Sequence, residues 1–329
     1  MIPTLPSQVV NKMAQRDHRF HHYLWHRVRN SWLRLKESER QAVRDINPAW
    51  EPPRPARDQA GNPVRDNDSG EDFLFMHREM IALVNEILAA VGDAAYPRVE
   101  GWTRVPPPGD ADYPVPEFPG SGLEEIKSAE YFDEFIAPWE TQYTDPDHLR
   151  SVSLGQLGSD IEFTIHNDLH MRWAAPSPVG YRPTTALTQG IGAQWDAPAY
   201  DYLGDSYASH VNPVFWKLHG WVDDRIEGWK RANGVAGEIE WTGTWVGPAA
   251  HAHDHDDHEH PHAHPAREAG DAPLPATPAA RRGELRRGEL EQIDRIISAS
   301  GAGEFDGFFR PSARRGRPST FSPTSKLRG

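Results

Sequence analysis

The chain has 329 residues, of which 37% are apolar and 12 are Trp, enough to bury one large core or two ordinary ones. Its formal net charge of −13 argues against a general affinity for nucleic acid or an anionic membrane, because both present phosphates that an acidic surface repels. The absence of Cys excludes disulfides, thiolate metal sites and cysteine nucleophiles, so any metal must be bound by His or carboxylates.

The N-terminal segment, residues 1–17, carries no sign of a secretory leader. It lacks an apolar run followed by a small-residue cleavage site. Nowhere in the chain do 18 uncharged apolar residues occur in succession. These patterns predict a soluble protein of the cytoplasm.

Helical spacing of apolar residues begins close to the N-terminus. Between Ser7 and Leu35 the apolar residues fall loosely at helical intervals with no Pro or Gly among them, which predicts one long helix. A short helix is expected over 37–45. After a Pro-rich segment, a strongly amphipathic pattern predicts a helix over 70–92, with Gly92 as its stop.

Pro-rich loops and further helices fill the next part of the chain. A connector over 105–120 leads to an acidic helix at 123–139, and two more helical segments are expected at 158–174 and 212–234. Strand-like alternation is sparse throughout. The sequence therefore predicts an all-α fold, a four-helix bundle with long Pro-rich loops.

The composition changes sharply after about residue 245. A His-rich run, HAHDHDDHEHPHAH, is followed by segments rich in Ala, Arg, Pro and Ser. Such sequence cannot bury enough apolar surface to offset chain entropy. We predict a helical domain over 1–245 and a low-complexity, largely disordered tail over 246–329. The seven His of the run could bind metal ions weakly, or the run could be a linker of biased composition.

Six His on four predicted helices are candidate metal ligands. Four of them form two pairs at i,i+4 spacing, which stacks two imidazoles on one helix face so that both can bind one ion. One such pair alone is usually a surface or core feature, but two pairs and two single His on separate helices favour a metal site. Three neutral imidazoles per metal, with no thiolate, favour copper. The six are His22, His26, His77, His166, His170 and His219.

The motifs around these His resemble those of type 3 dicopper proteins, the tyrosinases, catechol oxidases and arthropod haemocyanins. HHYLWH resembles the haemocyanin copper A helix, GEDFLFMHREMI the segment with its third ligand, and HNDLH the copper B pair. NPVFWKLHGWVD follows the tyrosinase signature D-P-x-F, three residues, His, three residues, Asp, which ends here at Asp223. The signature's first Asp is Asn212, which retains a capping side chain before Pro213. The resemblance spans about residues 20–232.

The resemblance implies that a bundle of helices holds two copper ions, each bound by three of the six His, and that dioxygen is the co-substrate. It implies hydroxylation or oxidation of a phenol, catechol or aminophenol, with a small phenolic or tyrosyl substrate, and it leaves open a partner that delivers copper. Asn167 matches the residue that holds a water as base for the phenolic proton, helped by a Glu for which Glu162 is the candidate. Asp223 is either an acceptor for a ligand ring or a surface carboxylate.

Two other functions compete with a tyrosinase-like monooxygenase or oxidase. One is a haemocyanin-like dioxygen carrier, which the missing leader and flanking domains disfavour. The other is a helical bundle that has changed its metal or lost one copper. The presence of His at all six ligand positions argues against it. Outside the ligand set, four His are expected to be structural or surface residues: His18, His21, His148 and His210. Three aromatic residues are expected to pack in the core rather than to form a substrate platform: Trp216, Trp221 and Trp229. An aromatic segment of the tail, with Phe305, Phe308 and Phe309, could shield the site.

Overall fold

The computed structural model describes residues 4–45, 50–182, 192–242 and 244–247. In these ranges the regular structure is helical, and one isolated β-bridge pairs Arg57 with Pro63. The all-α class expected from the sequence is therefore confirmed. No helix in the described ranges is both long and apolar enough to cross a bilayer. The His-rich run and Phe305, Phe308 and Phe309 lie outside the described residues.

The N-terminal part contains four α-helices. They are α1 Ser7–Met13, α2 Arg16–Ser31, α3 Glu37–Arg44 and α4 Ser69–Val91, with a 3-10 turn at Trp32–Arg34 after α2. The expectation of one long helix to Leu35 is wrong, because the chain turns at Ala14 and Gln15. The buried Arg19 side chain explains the break, since its Nε donates to the Ala14 carbonyl oxygen at 3.0 Å. Gly92 ends α4 in a left-handed conformation, as predicted.

The described second part contains short helices, two π turns and one long helix at its end. They are α5 Glu124–Lys127, α6 Ala129–Tyr131, a π turn Phe132–Ile136, α7 Ala137–Thr144, α8 Pro146–Ser151, α9 Leu154–Ile161, a π turn Glu162–His166, α10 Asn167–Trp173 and α11 Pro213–Ala232. Two 3-10 turns, Ala193–Asp196 and Ser209–Val211, precede α11. The acidic helix is interrupted because Ser128 is extended and caps Tyr131 N. At α11 the Asn212 side chain accepts from Val214 N at 2.9 Å, the cap expected from the sequence.

The core is formed where α4 packs against α9 and α11. Trp216 and Trp221 of α11 are fully buried in it, and Trp229 packs against it, as the sequence indicated. The described chain beyond α11 returns to the same core. There Trp245 accepts a hydrogen bond from Trp25 through its carbonyl oxygen, at 3.0 Å, and donates its backbone N–H to Asp72 at 2.7 Å.

The crossing of α4 and α9 is close enough to require glycine. A Cβ at Gly70 would overlap the Gly155 carbonyl oxygen and the Ser159 backbone nitrogen. The two helix backbones therefore touch near the start of α4. This contact fixes the spacing between the helix that carries His77 and the helical segment that carries His166 and His170.

Gly70→Ala is expected to lower the free energy of unfolding by roughly 2 kcal/mol, because the added methyl must push the two backbones apart. Denaturant unfolding of the metal-free protein measures this change. Gly237→Ala is the matched control, since a Cβ there would have no neighbour within 4 Å and Gly237 is exposed. Equal stability of the two variants would mean that α4 and α9 can move apart with little loss of folding free energy.

Candidate metal centre

The six candidate His converge in the interior of the helical core. Helix α2 supplies His22 and His26, and α4 supplies His77. The segment from the second π turn into α10 supplies His166 and His170, and α11 supplies His219. None of the six is more than 6% exposed. The structure thus brings together all six His that the sequence singled out.

The six rings form two groups of three. In the first, His22, His26 and His77, ring nitrogens lie within 4.8 Å of one another and the ring centroids are 4.8, 5.5 and 5.8 Å apart. In the second, His166, His170 and His219, the ring centroids are 4.6, 5.1 and 5.3 Å apart. We call these the first and the second triad.

The two triads are in contact with each other. His77 and His219 stack with ring centroids 4.3 Å apart and an angle of 19° between their planes. Nitrogens of His77, His166 and His219 also lie within 4.8 Å of one another, so His77 borders both groups. The Nε2 atoms of His166 and His219 are 3.1 Å apart. Nitrogens close enough to share one ion thus form two groups, and both groups include His77. His170 adjoins the second group through its ring contacts with His166 and His219.

Backbone carbonyls fix the orientation of four of these rings. A carbonyl oxygen can only accept, so each Nδ1 carries the proton and donates, which leaves the Nε2 electron pair available to a metal. Among the described residues, the Nε2 atoms of His22 and His77 have no hydrogen-bond partner. The Nδ1 partners are Ser206 for His22 at 2.6 Å, Phe73 for His77 at 2.8 Å, Leu203 for His170 at 2.8 Å and Phe215 for His219 at 2.9 Å.

Burial keeps the imidazoles neutral. It lowers the pKa of His22 to about 3 and the pKa values of the other five ligand candidates well below their ordinary value. The neighbouring imidazoles of the cluster lower the pKa values of these five further, since two adjacent positive rings would repel. Neutral imidazole is the form that binds metal, so the cluster needs no proton release to accept ions at neutral pH.

Asn167 and Glu162, the expected base-holding pair, lie on either side of the His166 turn. Asn167 is half-buried at the start of α10, and its hydrogen bond to His166 raises the pKa of that ring against the larger lowering by burial. Glu162 is buried, and both its oxygens accept from Arg29, at 2.6 and 2.9 Å. Any role of Glu162 as a proton acceptor would therefore work against this ion pair.

Asp223 does not orient a ligand ring. It accepts two hydrogen bonds from Arg78, at 2.6 and 3.2 Å, and so ties α11 to the residue after His77. His219 Nδ1 instead donates a hydrogen bond to the carbonyl oxygen of Phe215, four residues earlier on the same helix. A carbonyl oxygen has two lone pairs, so this one can accept the ring N–H in addition to a backbone N–H of the helix. Of the two roles considered for Asp223, the contact is closer to that of a surface carboxylate, because the side chain is 26% exposed and pairs with Arg78.

His210, which the sequence predicted to be a structural or surface residue, contacts a ring of the first triad. It is fully buried, and its Nδ1 lies 3.0 Å from Nδ1 of His22. Its Nε2 is 3.1 Å from the Met13 carbonyl oxygen, so Nε2 carries the proton and Nδ1 accepts from His22. His210 sits in a 3-10 turn with no helical partner His. No local spacing could therefore have marked it.

The other three non-ligand His of the described residues contact side chains outside the triads. His18 packs on His210, with ring centroids 5.1 Å apart, and His21 packs on Trp50. His148 lies beside Tyr143 on the α7–α8 side. These contacts are structural, as expected.

Comparison with known proteins adds nothing to this geometry. A scan of protein-family models and a search of curated proteins found no match to the chain. The function must accordingly be argued from the histidine cluster.

Proposed function

We propose that the protein is a copper-dependent oxidoreductase that activates dioxygen at two adjacent copper ions within a four-helix core, and that it hydroxylates or oxidises a phenol, catechol or aminophenol. One observation carries the proposal. Two triads of buried His rings from four helical segments lie in contact, and four of the rings have Nδ1 bound to a backbone carbonyl. The proposal includes that the two copper ions form a centre like that of the type 3 dicopper proteins.

The donor set fits copper better than the common alternatives. Six imidazole nitrogens with no thiolate suit copper, and no carboxylate belongs to either group of potential metal ligands among the described residues. Calcium and magnesium require oxygen ligands. Zinc also accepts three His, so metal competition belongs in the test.

The chain's own residues would position substrate and handle the phenolic proton. The triads would hold the copper ions, which when bound supply the electrons that reduce dioxygen. Asn167 places a half-buried amide beside His166, where it could hold a water that accepts the phenolic proton. The Arg29–Glu162 ion pair stiffens the turn that presents His166.

A second candidate is reversible binding of dioxygen without turnover. The burial of all six His favours it, since a carrier needs its site shielded from substrate. It differs from the enzyme only in what the loaded protein does to a phenol. One reconstitution experiment can therefore separate the two.

Metal-free protein titrated with Cu(I) without oxygen is expected to bind two ions per chain at the cluster. The His-rich run would add further copper, so the comparison is a full-length variant with its seven His replaced by Ser. After dioxygen is admitted, the two oxidised ions should couple and give little electron paramagnetic resonance signal. Phenol, catechol and aminophenol are then tested by oxygen consumption.

Each outcome of this titration has a definite meaning. Oxygen consumption with one of these substrates supports the enzyme, and reversible oxygen uptake without product supports the carrier. One copper or none at the cluster, or a preference for Zn²⁺ at equal concentrations, contradicts both.

A further inference from the structure

Residues 203–206 supply a backbone carbonyl to each triad. The Leu203 oxygen accepts from His170 Nδ1 at 2.8 Å, and the Ser206 oxygen accepts from His22 Nδ1 at 2.6 Å. His170 belongs to the second triad and His22 to the first. A displacement of this one segment, which we call the carbonyl segment, would therefore turn a ring in each half of the cluster.

Asp205 lies inside the carbonyl segment and is the main support of its conformation. Its carboxylate accepts from Arg182 at 2.6 and 2.8 Å, from the Tyr200 hydroxyl at 2.8 Å and from the Tyr207 backbone nitrogen at 3.1 Å. Its own carbonyl oxygen accepts the backbone N–H groups of residues 208 and 209. Residues 203–211 are all buried, so water cannot replace these bonds.

Arg182, the ion-pair partner of Asp205, also contacts α2, the helix that carries His22 and His26. Both side chains of the Arg182–Asp205 pair are fully buried. Burial alone would lower the pKa of Arg182, but the adjacent Asp205 carboxylate raises it above its ordinary value. The Arg182 guanidinium also lies 4.5 Å from the ring centre of Tyr23, the residue after His22. Removing either charge would leave the other buried without compensation.

We propose that Asp205 is a positioning residue for both metal ions. Its carboxylate fixes the carbonyl segment so that Leu203 and Ser206 hold His170 and His22 with Nδ1 protonated and Nε2 available to a metal. The inference rests on the proposed function for the identity of the metal. The ring tautomers, by contrast, can be measured in the metal-free protein.

The same cluster contains rings that serve as internal controls. His77 and His219 donate to the carbonyls of Phe73 and Phe215, each four residues earlier on its own helix. These two rings do not depend on the carbonyl segment. His22 has a second acceptor in His210 Nδ1, which should reduce its response relative to that of His170.

The test compares Asp205→Asn with Asp72→Asn in the full-length, metal-free protein. Asp72 is the matched control, because it forms a similar two-point pair with Arg54, at 2.6 and 3.2 Å, and likewise accepts a backbone N–H, from Trp245, while lying outside the carbonyl segment. Nitrogen-15 NMR of the imidazoles reports the tautomer of each His. In Asp205→Asn, His170 and to a lesser degree His22 are expected to show mixed tautomers, while His77 and His219 keep Nδ1–H. Asp72→Asn should leave all four unchanged.

Copper titration gives a second readout. Asp205→Asn is expected to bind both ions about tenfold more weakly or worse, the usual cost of losing a group that orients a ligand. Should Asp205→Asn fail to fold, Arg182→Lys takes its place, since it keeps the charge and loses the two-point contact. A folded variant of either kind with unchanged tautomers and copper affinity would overturn the inference.

The two proposals fail in different ways. Tautomers that respond in a protein that binds no copper pair would contradict the proposed function and support the positioning role. Two tightly bound coppers in Asp205→Asn with unmoved rings would support the function and overturn the positioning role.

Discussion

His170→Ala is expected to reduce the copper content of the cluster from two ions to one and to abolish oxygen consumption with phenolic substrates. The second triad would keep only His166 and His219, and the Ala side chain offers no donor. The loss should exceed the roughly 10-fold to 100-fold weakening that follows removal of an orienting partner. Metal analysis after dialysis, in the variant lacking the His of the run, measures it. The remaining oxidised copper should give a full electron paramagnetic resonance signal, since it has no partner for coupling.

His148→Ala is the control for this substitution. His148 lies on α8 beside Tyr143 and is not part of either triad. It should retain two coppers and the wild-type rate of oxygen consumption. Two coppers bound by His170→Ala would mean that this ring is not a ligand, and the second site would then be reassigned to His77, His166 and His219, whose nitrogens lie within 4.8 Å of one another.

Arg29→Met is expected to lower the free energy of unfolding by about 3–5 kcal/mol, because it leaves the Glu162 carboxylate buried without its counter-charge. Arg29 and Glu162 are 0% and 2% exposed, and Arg29 also donates to the Ser69 carbonyl oxygen at 2.6 Å. The pair links α2, the start of α4 and the second π turn. Denaturant unfolding of the metal-free protein measures the change.

The double variant Arg29→Met/Glu162→Gln separates the charge from the packing. It should recover part of the lost stability, since no buried charge remains. Glu37→Gln on α3 is the surface control, because Glu37 pairs with Arg40 and Arg44 in an exposed position, where an ion pair contributes little. A double variant no more stable than Arg29→Met would place the cost in lost packing and hydrogen bonds.

The all-α class and the two His pairs could be predicted from the sequence, because both depend on local spacing, whereas His77 and His219 are single His that only the resemblance of their motifs indicated. Apolar residues at helical intervals indicate helices, and His at i,i+4 must share a face once the helix forms. Asn212 before Pro213 likewise predicted its own cap. The identity of the bound metal and the reaction stay predictions.

The features that the sequence did not indicate depend on contacts between distant residues. Arg19 breaks the first helix only because the folded chain buries its guanidinium, where it also donates to the carbonyls of Ala197 and Tyr207. Glu162 and Arg29 are 133 residues apart, and Asp205 acts through carbonyls that have no sequence signature. Ring acceptors supplied by the backbone cannot be identified from residue types.

The second π turn decides which way α10 faces. It accommodates one residue more than an α-helical turn, and Thr164 within it departs from helical dihedrals. Before the π turn, α9 packs closely against Gly70 of α4. After the π turn, α10 must direct His170, together with His166, towards the cluster. Deleting one residue between 162 and 165 would restore regular bonding but swing one half about 100° relative to the other. A continuous α-helix could then either pack against α4 or direct the His ligands towards the cluster, but not both. Deletions or insertions in this turn are therefore expected to abolish metal binding.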